Sequence, residues 1–131
     1  MAAILRVYGI MLLKGMGQTL LMTLLTLVIA TIIGMIFGLM NVGRNRILNL
    51  IGTVYVDAIR GVPLIVLAYF VFFGIPAGMQ GMGMRGFRLS ALQAGTIALS
   101  LNCGAYMAEI IRAGIESVDR GQMEASRSLG L

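Results

Sequence analysis

At 131 residues the chain has room for one domain and a few membrane crossings. It is 59% hydrophobic and only 11% charged, against about 25% charged in soluble domains, and a soluble domain this small has too little interior to hide that much apolar surface, so lipid must take the remainder. The net charge of +5 comes from basic residues scattered between apolar blocks, which is span-flanking charge rather than a nucleic-acid surface. A single cysteine, Cys103, and no His exclude an intrachain disulfide and any multi-cysteine metal cluster.

Residues 1–14 place Ile4, Tyr8, Met11 and Leu12 on one helical face and predict an interfacial N-terminal helix. The apolar run that begins at Gly15 stays uncharged to Gly43, too long for the core of a cleaved signal peptide. A first span is therefore expected over about 17–41. Its core from Leu20 to Met40 reaches roughly 31 Å, matching a hydrocarbon layer of about 30 Å. Threonines 23, 26 and 31 are tolerable there because a hydroxyl bonds back to the preceding turn. Ala30, Gly34 and Gly38 repeat at four-residue spacing, a small-residue face that lets a second helix approach closely.

A polar break with Arg44 and Arg46 follows. The next apolar stretch, Leu64 to Phe73, is too short to cross alone, so a second span is expected over about 54–76. That span takes in Asp57 and Arg60, three apart and able to pair, and a kink at Pro63. Residues 77–88 are rich in Gly and Met without periodicity and predict a loop. The loop lacks the glycine spacing of a phosphate cradle, and no metal site is expected.

A third span is expected over about 90–111, with small-residue ladders Ala91–Gly95 and Ser100–Gly104–Ala108. Gln93, Thr96 and Asn102 are the candidates for lining a solute path, because an amide or hydroxyl in hydrocarbon needs either a partner helix or a polar cavity. Glu109, Arg112 and Glu116 form a ladder at the helix exit. Asp119 and Gln122 have the spacing of a capping box, and Gly130 is a C-terminal stop, so a short helix is expected at about 120–130. So short a helix needs a partner surface. Six basic residues on the side of 41–60 and the C-terminal segment, against four on the other, place the N-terminus outside. The fold class is all-α integral membrane, three spans and a short cytoplasmic helix.

The segment GAYMAEIIRAGIESVDRGQMEASRSLG, Gly104–Gly130, resembles the signature of amino-acid ABC importer permeases of the histidine/glutamate/glutamine/arginine/opine group. IRGVPLIVLAYFVFFGIP, Ile59–Pro76, and LLKGMGQTLLMTL, Leu12–Leu24, agree with it. The resemblance implies that residues 15–131 are part of a type I importer transmembrane domain in the bacterial cytoplasmic membrane. It makes the short helix a coupling helix docking on an ATPase through Gly121, Glu124, Ala125, Ser126 and Gly130, with Ser126 where the group usually has Ala. The implied partners are two cytoplasmic ATPase subunits that use the ATP, an extracytoplasmic solute-binding protein and a second permease subunit, identical or not. No cofactor is bound directly, no nucleic acid is expected, and the permease does no covalent chemistry. Members of the group carry further spans, so the sequence is expected to be the N-terminal three-span part of an incomplete reading frame. A small self-assembling channel or pore-forming protein is the competing class. It gives no reason for the capped C-terminal helix.

Overall fold

The computed structural model describes residues 2–130. Among them there is no strand, and three helical stretches are long and apolar enough to cross a membrane: Tyr8–Val42, Leu64–Gly81 and Ala91–Glu116. The chain begins with α1, Ala2–Val42. No break at Gly15 separates an N-terminal helix from the span; nothing between Ala2 and Val42 is a proline, and one helix runs through. Thr19, Thr23 and Thr31 each donate to the carbonyl four residues back, at 2.7–3.0 Å. Thr26 does not; it is buried, and its hydroxyl has no partner.

A tight turn leads into α2, Arg46–Gly61. Asn45 caps it, its Oδ1 accepting from Ile47 N at 2.9 Å. α2 folds back on α1. Phe37 and Tyr55 stack with ring centroids 4.0 Å apart, Asn49 Nδ2 donates to the Asn41 carbonyl, and any Cβ on Gly52 would overlap the Asn41 amide.

The second crossing departs from the expected kinked helix. Val62 is extended (φ −101, ψ 130), as a residue before proline tends to be, so the helix is broken rather than bent. α3, Leu64–Tyr69, starts afresh after Pro63, continues through a π-helical turn, Phe70–Gly74, and ends as α4, Ile75–Gly81. The π turn lies directly before Pro76. Widening the ladder, with Ile75 N–H reaching Phe70 O, moves the preceding carbonyls out of the proline ring's way. The crossing thus extends past Pro76 into the expected loop, which is reduced to the residues around Gly83 and Gly86, both at positive φ (97 and 88).

α5, Ala91–Glu116, is uninterrupted. It lies parallel to α1, because the contacts advance together: Met22 meets Gly95, Ile33 meets Gly104 and Gly38 meets Ile111. The interior between them is made of small residues. Ala30 is 2% exposed and Ala105 and Ala108 are 0%, whereas Leu20, Val28 and Ile32 are more than half exposed. This is a soluble core turned inside out. Close backbone approach holds the helices together, and large side chains are left for lipid. A second cluster, Leu67, Val71, Ala94 and Ala98, fixes the second crossing to the first half of α5. After Ser117, α6 runs from Arg120 to Ser128.

Candidate functional site

Two places collect the functional candidates: α6, and the meeting of the end of α2 with the second half of α5.

Asp119 caps α6, but not through a reciprocal box with Gln122. Its Oδ1 accepts from Gly121 N at 2.9 Å, while Gln122 N bonds the Asp119 carbonyl at 3.0 Å. The short Asp side chain reaches the nearer amide first. Gly121, Glu124 and Ala125 are exposed along the helix, and Ser126 is half-buried. The Ser126 hydroxyl folds back onto the Met123 carbonyl at 2.9 Å, so its polarity is spent within the helix. Gly130, at φ 80, follows the last turn, the left-handed stop that favours glycine. Met123 and Leu129 stand exposed beside the charged residues, leaving an amphipathic helix with an open apolar side.

The three candidates for a solute path do not come together. Gln93 belongs to the start of α5: Ser90 Oγ accepts from Gln93 N at 3.2 Å and Gln93 Oε1 accepts from Ser90 N at 3.0 Å. This is a capping box, and it went unread in the sequence because Ser90 and Gln93 lie inside what looks like one apolar block. Thr96 is buried, and its hydroxyl has no partner, as is true of Ser100. Asn102 is half-buried. Ala30, Gly34, Gly38 and Gly104 do share one interface. A Cβ on Gly34 would lie 2.5 Å from Met107 Cβ, one on Gly38 would lie 3.0 Å from Ala108 O, and one on Gly104 would lie 2.6 Å from Ile33 Cγ2.

The charged ladder on α5 is present: Arg112 Nη2 lies 2.6 Å from Glu109 Oε1 and Arg112 Nη1 lies 3.6 Å from Glu116 Oε2. Arg60 does not pair with Asp57 as their spacing suggested. It turns across to α5, with Nη1 3.8 Å from Glu109 Oε2 and its guanidinium 5.2 Å from the centroid of the Tyr106 ring. The packing of α2 on α5, sealed by Tyr55 OH donating to the Leu101 carbonyl at 2.8 Å, brings Arg60 within reach. Tyr106 carried no signal in the sequence, since an aromatic on an apolar helix is ordinarily only packing.

Residues 30–131 match the family described as binding-protein-dependent transport system inner membrane component. The probable glutamine ABC transporter permease protein GlnM of Bacillus subtilis is 39% identical over 120 residues, 92% of this chain and 52% of the relative. The arginine transport system permease protein ArtQ of the same organism is 36% identical over 119 residues, 91% of this chain and 52% of the relative. A crystal structure of an amino acid ABC transporter with histidines superposes with a TM-score of 0.82 at 39% identity, over 95% of this chain and 55% of that one. The chain therefore spans about half the length of the curated relatives it matches. With three membrane-length helical stretches, an amphipathic α6 and this match, the chain belongs to the inner-membrane components of binding-protein-dependent transport systems.

Proposed function

We propose that the chain is the three-span part of a permease subunit in an ATP-driven importer of polar amino acids. The observation that carries this reading is α6, a capped amphipathic helix held by only three residues, Ser117–Asp119, at the end of the membrane-length α5. A helix of nine residues is not stable alone in water and needs a surface to bury its apolar side. In this reading that surface is a groove on a cytoplasmic ATPase, contacted by Gly121, Glu124, Ala125, Ser126 and Gly130. The N-terminus lies outside the bacterial cytoplasmic membrane, an extracytoplasmic binding protein delivers the solute, and a second permease subunit completes the path. When the ATPases close, α6 moves with them and α5 carries the displacement into the membrane, exchanging outward-facing and inward-facing states. The chain makes and breaks no covalent bond; ATP is hydrolysed by the partner.

A self-assembling pore has no use for α6, and the relatives named as permeases favour the importer. The test is co-purification of the whole-reading-frame permease with its ATPase, together with uptake in proteoliposomes. Glu124→Arg combined with Gly130→Trp is expected to abolish both ATPase binding and ATP-driven uptake. Retention of both would remove the coupling role from α6.

A further inference from the structure

We propose that the seam between the second crossing and the first half of α5 binds one anionic phospholipid, its phosphate on Arg88 and one acyl chain laid along an apolar groove. The site requires only that the chain spans a membrane. Three cavities of about 360, 300 and 440 Å³ follow one another along this seam. Phe72 and Phe73 line both the first and the second, and Ile65, Ala68 and Gly95 line both the second and the third, so together they form one groove. Its two ends differ. The first cavity reaches Gln80 and Arg88, beside the loop before α5. The third is lined by apolar residues alone and ends at Leu64 and Leu99. Two aromatic contacts fix the wall between them. Tyr69 stacks on Phe73 with ring centroids 5.9 Å apart, and Phe72 meets Phe73 edge-on at 4.7 Å.

The length of the groove is that of one leaflet. Its apolar part runs about 12 Å along α5, from Ala91 to Leu99, and about 14 Å along the second crossing, from Phe73 to Leu64. Half of a hydrocarbon core of about 30 Å is about 15 Å. The cation thus stands at headgroup level and the groove closes near the mid-plane. The charge pattern selects the headgroup. Arg85 and Arg88 are the only charged residues between positions 61 and 108, and all five acidic residues, Asp57, Glu109, Glu116, Asp119 and Glu124, lie outside that stretch. Arg88 is exposed and, among the described residues, pairs with no carboxylate. Gln80 Nε2 donates to the Phe87 carbonyl at 2.9 Å, which ties the residue before Arg88 to α4 and keeps the guanidinium at the mouth of the groove. A guanidinium fork fits a phosphate. A protein helix seated here would fill the apolar part and leave Arg88 unanswered, whereas an anionic phospholipid brings the chain and the phosphate together.

The test uses the permease expressed from its whole reading frame and purified in mild detergent from membranes containing phosphatidylglycerol and phosphatidylethanolamine. Native mass spectrometry is expected to find phosphatidylglycerol retained in preference to phosphatidylethanolamine. Phosphatidylglycerol with a photoreactive diazirine on its acyl chain is expected to label residues 65–73 and 91–99. Arg88→Gln is expected to lower phosphatidylglycerol retention about fivefold or more, the share of one basic residue beside an anionic headgroup. Arg85→Gln, which does not line the groove, is expected to leave the retention and the labelling in place. Ala68→Phe narrows the groove where two of the cavities join and is expected to abolish the labelling; if it fails to accumulate, Ala91→Phe at the exposed rim decides. Several results would overturn the assignment. Unchanged retention in Arg88→Gln would, and so would an equal loss in Arg85→Gln, which would reduce the site to a diffuse basic surface. Displacement of the photoreactive lipid by glycerol phosphate as readily as by phosphatidylglycerol would leave an anion site without an acyl groove. An unlabelled groove, or a crosslink from Ala68→Cys in a Cys103→Ser background to another span, would give the groove to a protein helix.

Discussion

The α1–α5 pair and the second crossing solve the same problem in opposite ways. α1 and α5 are continuous, parallel and joined through Ala30, Gly34 and Gly38 against Gly104, Ala105 and Ala108. At Gly34, Gly38 and Gly104 the facing helix stands so close that even an added Cβ would meet it at 2.5–3.0 Å, and an interface packed this closely resists deformation. The second crossing is interrupted at Val62–Pro63 and again at the π turn Phe70–Gly74, and it meets α5 through ordinary apolar side chains such as Leu67 and Val71. In the proposed importer, the first arrangement serves as a lever that resists bending and the second as a segment that can change partners.

The largest effect that distinguishes them is expected from Gly34→Leu. Its Cβ would lie 2.5 Å from Met107 Cβ and 3.3 Å from the backbone of Ala108, and neither neighbour is the far end of a flexible chain. Overpacking of this kind costs typically about 1–3 kcal/mol, read as a fall of several degrees in the thermal midpoint of the detergent-solubilised permease with loss of uptake. An unchanged midpoint would mean the two helices are free to part. Pro63→Ala is expected to act on the other side of the comparison. Stability should change by no more than about 1 kcal/mol, because an alanine lets the chain run on as helix, while the uptake rate should fall about tenfold as the break is lost. Full uptake by Pro63→Ala would show that the interruption has no role in transport. The smallest effect belongs to Gln93→Ala, which removes half of the Ser90 capping box. A cost of about 0.5–1 kcal/mol with unchanged KM is expected, and a KM raised tenfold would return Gln93 to the solute path.

The parts that were legible in the sequence are those that depend on composition and period. Uninterrupted apolar runs identified the membrane class, and the four-residue spacing of Ala30, Gly34 and Gly38 identified a face able to pack closely. The ladder Glu109–Arg112–Glu116 and the turn chemistry of Asp119 and Gly130 are local, decided within a few residues along one helix. The partners that spacing did not foretell belong to residues with a choice. Arg60 had Asp57 three residues away and went instead to Glu109 and Tyr106 on another helix. Gln93, a polar side chain in an apolar block, exchanges hydrogen bonds with Ser90 at the start of α5. Pro63 indicated a disturbance, but not whether the helix bends or stops.

By itself, then, the sequence determined that this chain crosses a membrane through three apolar helical stretches and that it carries a short capped helix after the third. Burial of backbone polar groups in lipid leaves little alternative to helix, and apolar length sets the spans. Only the tertiary structure decided that α1 and α5 pack directly on each other at glycine-limited distance, that the second crossing is broken, and that Arg60 stands over Tyr106. Those features depend on the rotation and register of one helix against another. Spacing along a single chain does not encode these, because each depends on which side chains the partner helix presents.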